Sequence, residues 1–204
     1  MRIVAGFALA AFILAALGWW ATGPYRAPVS EFDSTIRHFM RQIQSPMWAT
    51  LLLTVSKLGS TLYLLVIGCI AGIAFLALRW FRSFVLFIVA MAGQAALHHG
   101  GKWLIARPRP PALITYRAAE GFSFPSGHAL SALCMYGILA WIITLRMENP
   151  AAKVGIWIFT LVLVFLIGMS RTYIGIHYAS DVIAGFLAAA IWTAAVMSAE
   201  RRSI

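Results

Sequence analysis

The segment SRTYIGIHYASD (Ser170–Asp181) separates two long apolar runs, VGIWIFTLVLVFLIGM (Val154–Met169) and VIAGFLAAAIWTAAVM (Val182–Met197). With a few flanking residues, each run approaches the roughly 20 apolar residues that cross a bilayer as a helix. The pattern therefore predicts two membrane-spanning helices joined by a turn. A simple hairpin needs only a polar turn, whereas this one carries a guanidinium, an imidazole and a carboxylate.

These three groups belong to Arg171, His177 and Asp181. If the second helix begins near His177, then His177 and Asp181 lie four residues apart on one face. The carboxylate would accept one imidazole N–H, fix the tautomer and leave the other ring nitrogen basic and nucleophilic. The alternative is a capping Asp with an unrelated His beside it. These residues alone do not separate the two interpretations.

The composition indicates an all-α, polytopic membrane protein with a single domain, residues 1–204. The chain has 204 residues, of which 62% are hydrophobic and 11% charged, and its mean hydropathy is +0.86. The apolar share of an ordinary soluble domain is nearer to about half. We attribute the net charge of +10 to cytoplasmic anchoring and an anion site rather than to nucleic-acid binding. Cys69 and Cys134 lie inside apolar segments, which predicts buried free thiols with no disulfide or metal role.

Six segments are predicted to span the membrane. The first has the length of a signal peptide, but Trp19 and Trp20 stand where small residues would precede cleavage, and they suit a membrane interface better. Met47–Ser56 is apolar but too short to cross, so we interpret it as a re-entrant or interfacial helix. The six predicted spans are Met1–Ala21, Thr61–Leu78, Ser83–Ala106, Pro125–Leu145, Val154–Met169 and Val182–Met197.

An amphipathic helix is predicted between the first and second spans, lying on the membrane surface or covering a site as a lid. Ser30 is its predicted N-cap and Pro46 its stop. His38 is expected to be solvated, and Arg37, Arg41 and Gln42 are expected to turn away from the apolar face. The apolar side chains that recur at helical spacing are Phe32, Ile36, Phe39, Met40 and Ile43.

A second polar island, RPRPPALITYRAAEGFSFPSGH (Arg107–His128), lies between the third and fourth spans. Its prolines end the preceding helix, and Pro125 fits the first turn of a new one. The amides of Ser126, Gly127 and His128 would then be exposed at a helix N-terminus, where anions bind. The alternative is an ordinary loop followed by a helix. His98 and His99, just before this island, point different ways on a helix and make a poor metal pair, so packing or hydrogen bonding is expected of both.

Six spans bring both islands to one membrane face, predicted to be the outer one, with both termini inside. There Lys102, Arg109 and Arg171 would gather around a shared anion, because leaving cations in lipid costs about 2.5–3.5 kcal/mol each. Raw counts oppose this orientation, although every short inner turn is basic. The inner side would hold seven of the sixteen cations, Arg2, Arg79, Arg82, Arg146, Lys153, Arg201 and Arg202, and the outer side nine, Arg26, Arg37, Arg41, Lys57, Lys102, Arg107, Arg109, Arg117 and Arg171.

Three ordered motifs resemble the signature of the type 2 phosphatidic acid phosphatase superfamily. The first is Lys102, six residues, then Arg109-Pro110; the second is Pro125-Ser126-Gly127-His128. The third is Ser170-Arg171, five residues, His177, three residues, then Asp181. One departure is Ala179-Ser180 before Asp181, where relatives often have a proline. The resemblance implies a metal-independent, cofactor-free lipid phosphatase that acts through a phosphohistidine.

The resemblance also implies a role for each motif residue. His177 would attack phosphorus, Asp181 would orient its ring, and His128 would protonate the leaving oxygen and then activate water. Arg107 is a weaker candidate, and no function in the reaction is expected of it. The phosphate would be bound by Lys102, Arg109, Ser126, Gly127 and Arg171.

Three other classes compete with a lipid phosphatase. A lipid transporter or flippase would place charges in a bundle but needs no nucleophile–carboxylate pair. A vanadate-dependent haloperoxidase shares the motifs but is soluble. A lipid phosphotransferase would use the same histidine with another acceptor.

The substrate is expected to be a lipid phosphate or diphosphate in the bacterial inner membrane. Candidates are undecaprenyl diphosphate, which the short chain favours, phosphatidylglycerophosphate, phosphatidic acid and lipid A phosphates. Nothing in the sequence indicates which lipid tail is bound or what the oligomeric state is.

Overall fold

The computed structural model describes residues 1–114 and 120–199, which form eight α-helices and contain no β-strand. Arg117, Arg201 and Arg202, counted above among the flanking cations, lie outside the described residues. The helices are α1 (Arg2–Thr22), α2 (Ala27–Gln42), α3 (Pro46–Lys57), α4 (Thr61–Ala77), α5 (Phe81–Ile105), α6 (Gly127–Thr144), α7 (Pro150–Ile174) and α8 (Ala179–Met197).

Five of these helices, α1, α5, α6, α7 and α8, are long and apolar enough to cross a membrane. The count rises to six if α3 and α4, which meet at a bend of 46°, form one broken span. The prediction of an all-helical, multi-pass membrane protein is therefore confirmed.

Helices α6 and α8 form the centre of the bundle. They pack against each other, with α1 on α8, α5 on α6, and α7 on both α6 and α3. The core includes the buried side chains of Leu130, Ile138 and Trp192, and the indole of Trp192 donates to the carbonyl of Ala90 on α5 at 2.8 Å. α4 lies at the edge of the bundle, in contact with α5 and α6. This edge position exposes Cys69, so the prediction that its thiol is buried is wrong, whereas Cys134 on α6 is buried.

The predicted boundaries of the amphipathic helix need correction. α2 begins at Ala27, with Pro28 in its first turn, so Ser30 lies inside the helix rather than at its N-cap. It ends at Gln42, and Pro46 begins α3, whose first turn is capped by the side chain of Ser45. A proline is suited to the first helical position because it lacks an N–H that would be unpaired there. His38 is exposed, as predicted.

The turn between α7 and α8 is shorter than the polar segment in the sequence. α7 continues past Met169 to Ile174, and Gly175 ends it with φ of +86°, a left-handed conformation that glycine adopts without steric cost. α8 begins only at Ala179. His177 therefore lies in the turn, not in a helix, and the expectation that it shares a helical face with Asp181 is wrong.

Candidate active site

Main-chain and side-chain hydrogen bonds join the two polar islands. The amide of Ser126 donates to the carbonyl of Asp181 at 3.0 Å, and the amide of Leu113 donates to the carbonyl of Ile174 at 2.8 Å. Both islands thus lie at the same end of the bundle, where α5 ends and α6 and α8 begin.

His177 lies at the centre of this junction and is 95% buried. Its Nε2 is 3.0 Å from Nη1 of Arg109, and its Nδ1 is 3.5 Å from Oδ2 of Asp181. Because a guanidinium only donates, Nε2 must accept and the proton of the neutral ring must be on Nδ1, facing the carboxylate. The distance of 3.5 Å is longer than an ordinary hydrogen bond, so this contact is mainly electrostatic.

The surroundings of His177 favour a neutral ring. Burial, together with the positive charges of Arg109 and Arg171, outweighs the attraction of Asp181 and lowers the pKa of His177 to about 4. A ring that is neutral at pH 7 with its proton on Nδ1 keeps an unprotonated lone pair on Nε2. It therefore has the protonation state that a nucleophile requires.

Asp181 is fully buried in the first turn of α8 and binds two donors. Its Oδ2 accepts the amide of Tyr178 at 3.0 Å, and its Oδ1 accepts Nη1 of Arg107 at 2.7 Å. Arg107, a weaker candidate from the sequence, therefore lies at the site and binds the carboxylate beside His177. Burial would lower the pKa of its guanidinium, but the neighbouring carboxylates outweigh burial and raise it.

The second carboxylate at Arg107 is Asp33 on α2, which the sequence reasoning missed. Its Oδ2 is 2.8 Å from Nη2 of Arg107, and both side chains are buried. A signal was available: Asp33 shares the inward face of α2 with Val29 and Met40, and a charged residue on a buried helix face needs a partner. Asp33 is thus a second carboxylate near the site, in addition to Asp181.

Arg37, also on α2, does not turn away as predicted. Its guanidinium donates to the carbonyl of Gly175 at 3.2 Å and also to the carbonyl of Pro111. Burial lowers the pKa of Arg37. α2 therefore forms hydrogen bonds with both islands through Arg37.

The three expected phosphate-binding cations all contact polar groups of the islands or of α3. Lys102 donates to the carbonyl of Phe122 at 2.6 Å, and Arg171 donates to the hydroxyl of Ser56 at 2.6 Å. Arg109 donates to the carbonyls of Gly121 at 3.1 Å and Ile176 at 3.0 Å, in addition to His177. Burial lowers the pKa of Arg109, against the opposing effect of Asp181. Within the described residues, neither Lys102 nor Arg109 has a carboxylate at salt-bridge distance.

The start of α6 differs from the prediction in two respects. Pro125 precedes the helix, whose first residue is Gly127, and the amide of Ser126 is already bonded to Asp181, so it is not free for an anion. The Ser126 hydroxyl is buried and has no hydrogen-bond partner in the described parts of the chain. The ring of His128 is half-buried and lies against the α3–α4 bend, where a Cβ added to Gly59 would be 3.1 Å from its Cδ2.

An apolar groove of about 740 Å³ between α4, α5 and α6 leads to this end of the bundle. Gly68 and Gly72 of α4 form part of one wall, and Met135 of α6 lies opposite. The groove reaches His98 and Gly127, beside the start of α6. A long apolar chain would fit along it while its polar end lay at the site.

No group of three or more His, Cys, Asp or Glu side chains suited to a metal ion occurs within residues 1–114 and 120–199. The carboxylates of Asp33 and Asp181 both bind Arg107.

Residues 83–204 match the PAP2 superfamily. The chain belongs to the PAP2 superfamily. The predicted family is therefore confirmed, and with it, at the level of the family, the predicted class of enzyme, a hydrolase of phosphate esters.

Two curated relatives carry names of lipid phosphatases. Phosphatidylglycerophosphatase B of Bacillus subtilis (strain 168) is 28% identical over 160 residues, which are 78% of this chain and 78% of that protein. Undecaprenyl-diphosphatase of Sulfolobus acidocaldarius is 32% identical over 110 residues, which are 52% of this chain and 46% of that protein.

One solved structure shares the fold of the PAP2 protein. It is the crystal structure of the first transmembrane PAP2 type phosphatidylglycerolphosphate phosphatase from Bacillus subtilis. The TM-score is 0.81 at 24% identity, with 100% of this chain and 99% of that chain covered.

Proposed function

We propose that this PAP2 protein hydrolyses a phosphate or diphosphate ester of a membrane lipid through a phosphohistidine at His177. The observation that carries the proposal is the position of His177 between a cation and a carboxylate. Its Nε2 is 3.0 Å from Arg109, and its Nδ1 is 3.5 Å from Asp181. Nε2 is thus directed at the group that would hold the phosphate, and the opposite nitrogen faces the charge that would stabilise an imidazolium.

In the first step, the lone pair of His177 Nε2 forms a bond to phosphorus while the bond from phosphorus to the lipid oxygen breaks. That oxygen leaves with the bonding electrons and takes a proton from His128. In the second step, water gives a proton to His128 and its oxygen attacks phosphorus. The P–N bond then breaks, its electrons return to Nε2, and inorganic phosphate is released.

The phosphate would be bound by groups that already surround His177. Lys102, Arg109 and Arg171 would exchange their present carbonyl and hydroxyl partners for phosphate oxygens. Ser126 would contribute its hydroxyl, which has no protein partner within the described residues, because its amide binds Asp181. The amide of Gly127, at the first position of α6, would complete the site.

We propose that the reaction needs no metal ion. Metal-dependent phosphoryl transfer relies on carboxylates to hold the ion. Here Asp33 and Asp181 both bind Arg107, at 2.8 and 2.7 Å, and are already engaged by its guanidinium. The positive charge that the transition state requires would come from the three cations instead.

A lipid substrate is supported by the apolar groove of about 740 Å³, which ends beside Gly127. Its length along α4 suits a long chain better than a soluble phosphate ester. We rank phosphatidylglycerophosphate and undecaprenyl diphosphate first among the four candidate substrates, and the names of the two relatives support this order. We infer six spans, with α3 and α4 as one broken span, α2 at the membrane interface, both termini in the cytoplasm and the site at the periplasmic face of the bacterial inner membrane.

The test is phosphate release from each of the four lipids by purified protein in detergent. We expect His177→Ala to abolish release from every lipid and His38→Ala, which changes an exposed histidine of α2, to leave it unchanged. EDTA should not reduce the rate. Brief incubation of the wild type with labelled substrate, followed by alkaline denaturation, should leave label on the protein, and none on His177→Ala.

Three results would overturn parts of this proposal. Phosphate release by folded His177→Ala would exclude the nucleophile, and loss of activity in EDTA would exclude the metal-independent reaction. Transfer of label to a lipid alcohol in place of water would make the protein a phosphotransferase.

A further inference from the structure

The carboxylate of Asp33 on α2 accepts three hydrogen bonds at the site. Its Oδ1 accepts the amide of Ser180 at 2.9 Å, and its Oδ2 accepts the Ser180 hydroxyl at 2.7 Å and Arg107 Nη2 at 2.8 Å. Ser180 lies in the first turn of α8, next to Asp181. The carboxylate of α2 therefore caps the helix that carries Asp181 and also binds the arginine that contacts it.

Arg107 is held in place from several directions. Its Nη1 donates to Asp181 at 2.7 Å and to the Ser180 hydroxyl at 2.8 Å, and its Nη2 donates to Asp33. The ring of Tyr178 lies 3.9 Å from the guanidinium carbon, close enough for a cation–π contact. Because the guanidinium is planar and is bound on both sides, it fixes the positions of the two carboxylates relative to each other.

The charges of this cluster decide how strongly Asp181 acts on His177. Asp181 alone has a charge of −1, and Arg107 beside it reduces the total to zero. Asp33 restores a total of −1. Because an imidazolium at His177 is stabilised by net negative charge nearby, Asp33 cancels the effect of Arg107.

We propose that Asp33 is a positioning residue for phosphoryl transfer, which orients Arg107 and the start of α8 and preserves the negative charge that Asp181 presents to His177. The proposal rests on the proposed function, because it assigns Asp33 a role in the chemistry of His177. It also gives α2 a function beyond covering the site: this helix contributes a side chain to it.

The alternative is that Asp33 serves only to cap α8 and to fasten α2. A purely structural role predicts lower stability but no change in the titration of His177. The electrostatic role predicts that removing the charge of Asp33 lowers the pH at which His177 titrates. The charged and titratable groups around His177 include those that act on it electrostatically and those that line a small cavity beside it. The first are Arg109, Arg171, Asp181, His98 and His128, the second are Asp33, Arg37 and Tyr178, and Arg107 is bound to Asp181.

The size of the effect follows from Coulomb's law. Two unit charges on the order of 10 Å apart, at an effective dielectric constant of about 20, interact with an energy that corresponds to about a ten-fold change in rate. We expect Asp33→Asn to lower kcat by about that factor with little change in KM, because Lys102, Arg109 and Arg171 remain. The matched control is Glu31→Gln, an exposed acid on the same helix, which should leave kcat unchanged.

The experiment measures kcat, KM and the titration of His177 in isotopically labelled full-length protein in detergent. The midpoint should move to lower pH in Asp33→Asn. It should stay at the wild-type value in Asp33→Glu, which keeps the charge. In Asp33→Asn/Arg107→Gln the total charge is −1 again, so the midpoint should return and kcat should partly recover.

Unchanged kcat and midpoint in Asp33→Asn, or a double variant no more active than the single one, would overturn the proposal. If Asp33→Asn does not fold, the proposal would also be overturned by a His177 titration midpoint in Asp33→Glu that differs from the wild-type midpoint. These outcomes leave the proposed function intact as long as His177→Ala is inactive. Activity in His177→Ala would instead remove the proposed function itself.

Discussion

Asp181→Asn tests the arrangement around His177 with almost no change of shape. The carboxylate has an acceptor on each side: Oδ1 accepts from Arg107 at 2.7 Å, and Oδ2 accepts from the amide of Tyr178 at 3.0 Å. An asparagine has one acceptor and one donor group. Whichever way its amide turns, one of these N–H donors will face an NH₂ group.

The expected loss of rate follows from the distance between Nδ1 of His177 and Oδ2 of Asp181, which is 3.5 Å. Opposite charges about 4 Å apart, at an effective dielectric constant of about 20, attract by about 4 kcal/mol. An imidazolium that develops in the transition state loses this attraction in the variant. We therefore expect kcat to fall by about a thousandfold, since each 1.36 kcal/mol is worth about a factor of ten.

The assay is release of inorganic phosphate from a lipid phosphate in detergent, over a range of substrate concentrations. KM should change much less than kcat, because Lys102, Arg109 and Arg171 are untouched. Thermal unfolding and size-exclusion profiles would establish that the variant is folded, and Glu31→Gln would serve as the control for removing an acid. A folded Asp181→Asn with kcat within ten-fold of the wild type would refute the role assigned to this carboxylate.

Three further predictions follow from the same geometry. Arg109→Lys should lower kcat/KM by about a hundredfold, because a single ammonium cannot reach both His177 and the carbonyls that the guanidinium binds; Arg41→Lys, at an exposed position of α2, is the control, and an equal effect of both would contradict this. Gly68→Leu should raise KM about ten-fold for a long-chain lipid phosphate but not for a short-chain one, since a Cβ there would already lie 3.3 Å from Met135 across the groove. The control is Gly155→Leu, where no atom lies within 4 Å of an added Cβ, and it should change neither KM. The His177 ring should titrate near pH 4 in labelled protein, so the nucleophile stays neutral from pH 7 down to about pH 5 and becomes protonated only below that. A titration midpoint near the ordinary value of about 6.5 would show that the site is more hydrated than its burial indicates.

The fold class was predictable because the signal for a membrane helix is local. Apolar runs such as Val154–Met169 identify a span without reference to any other part of the chain, and the structure extends this run into α7. The two polar islands were equally visible, since charged residues between spans stand out from the composition. Boundaries were less certain: Ser30 and Pro46 are both helix-terminus signals, yet one lies inside α2 and the other begins α3.

The candidate site was only partly predictable. The motif residues around His177 and Asp181 were found because their spacing along the chain is characteristic. The ion pairs of Arg107 were not predicted, because Asp33 and Asp181 each lie 74 positions away along the chain. The exposure of Cys69 was missed for a related reason: an apolar segment is as compatible with lipid as with a protein core.

The sequence by itself determined that this chain crosses the membrane several times and concentrates cations, imidazoles and a carboxylate in two breaks between its spans. Only the tertiary structure decided that Asp33 joins them, since it meets Arg107 from 74 positions away and Ser180 from 147. The physical reason is that hydrophobic periodicity records which face of a helix is buried but not what it is buried against. That partner is set by how α2, α5 and α8 pack together, a property of the whole bundle that no single segment encodes.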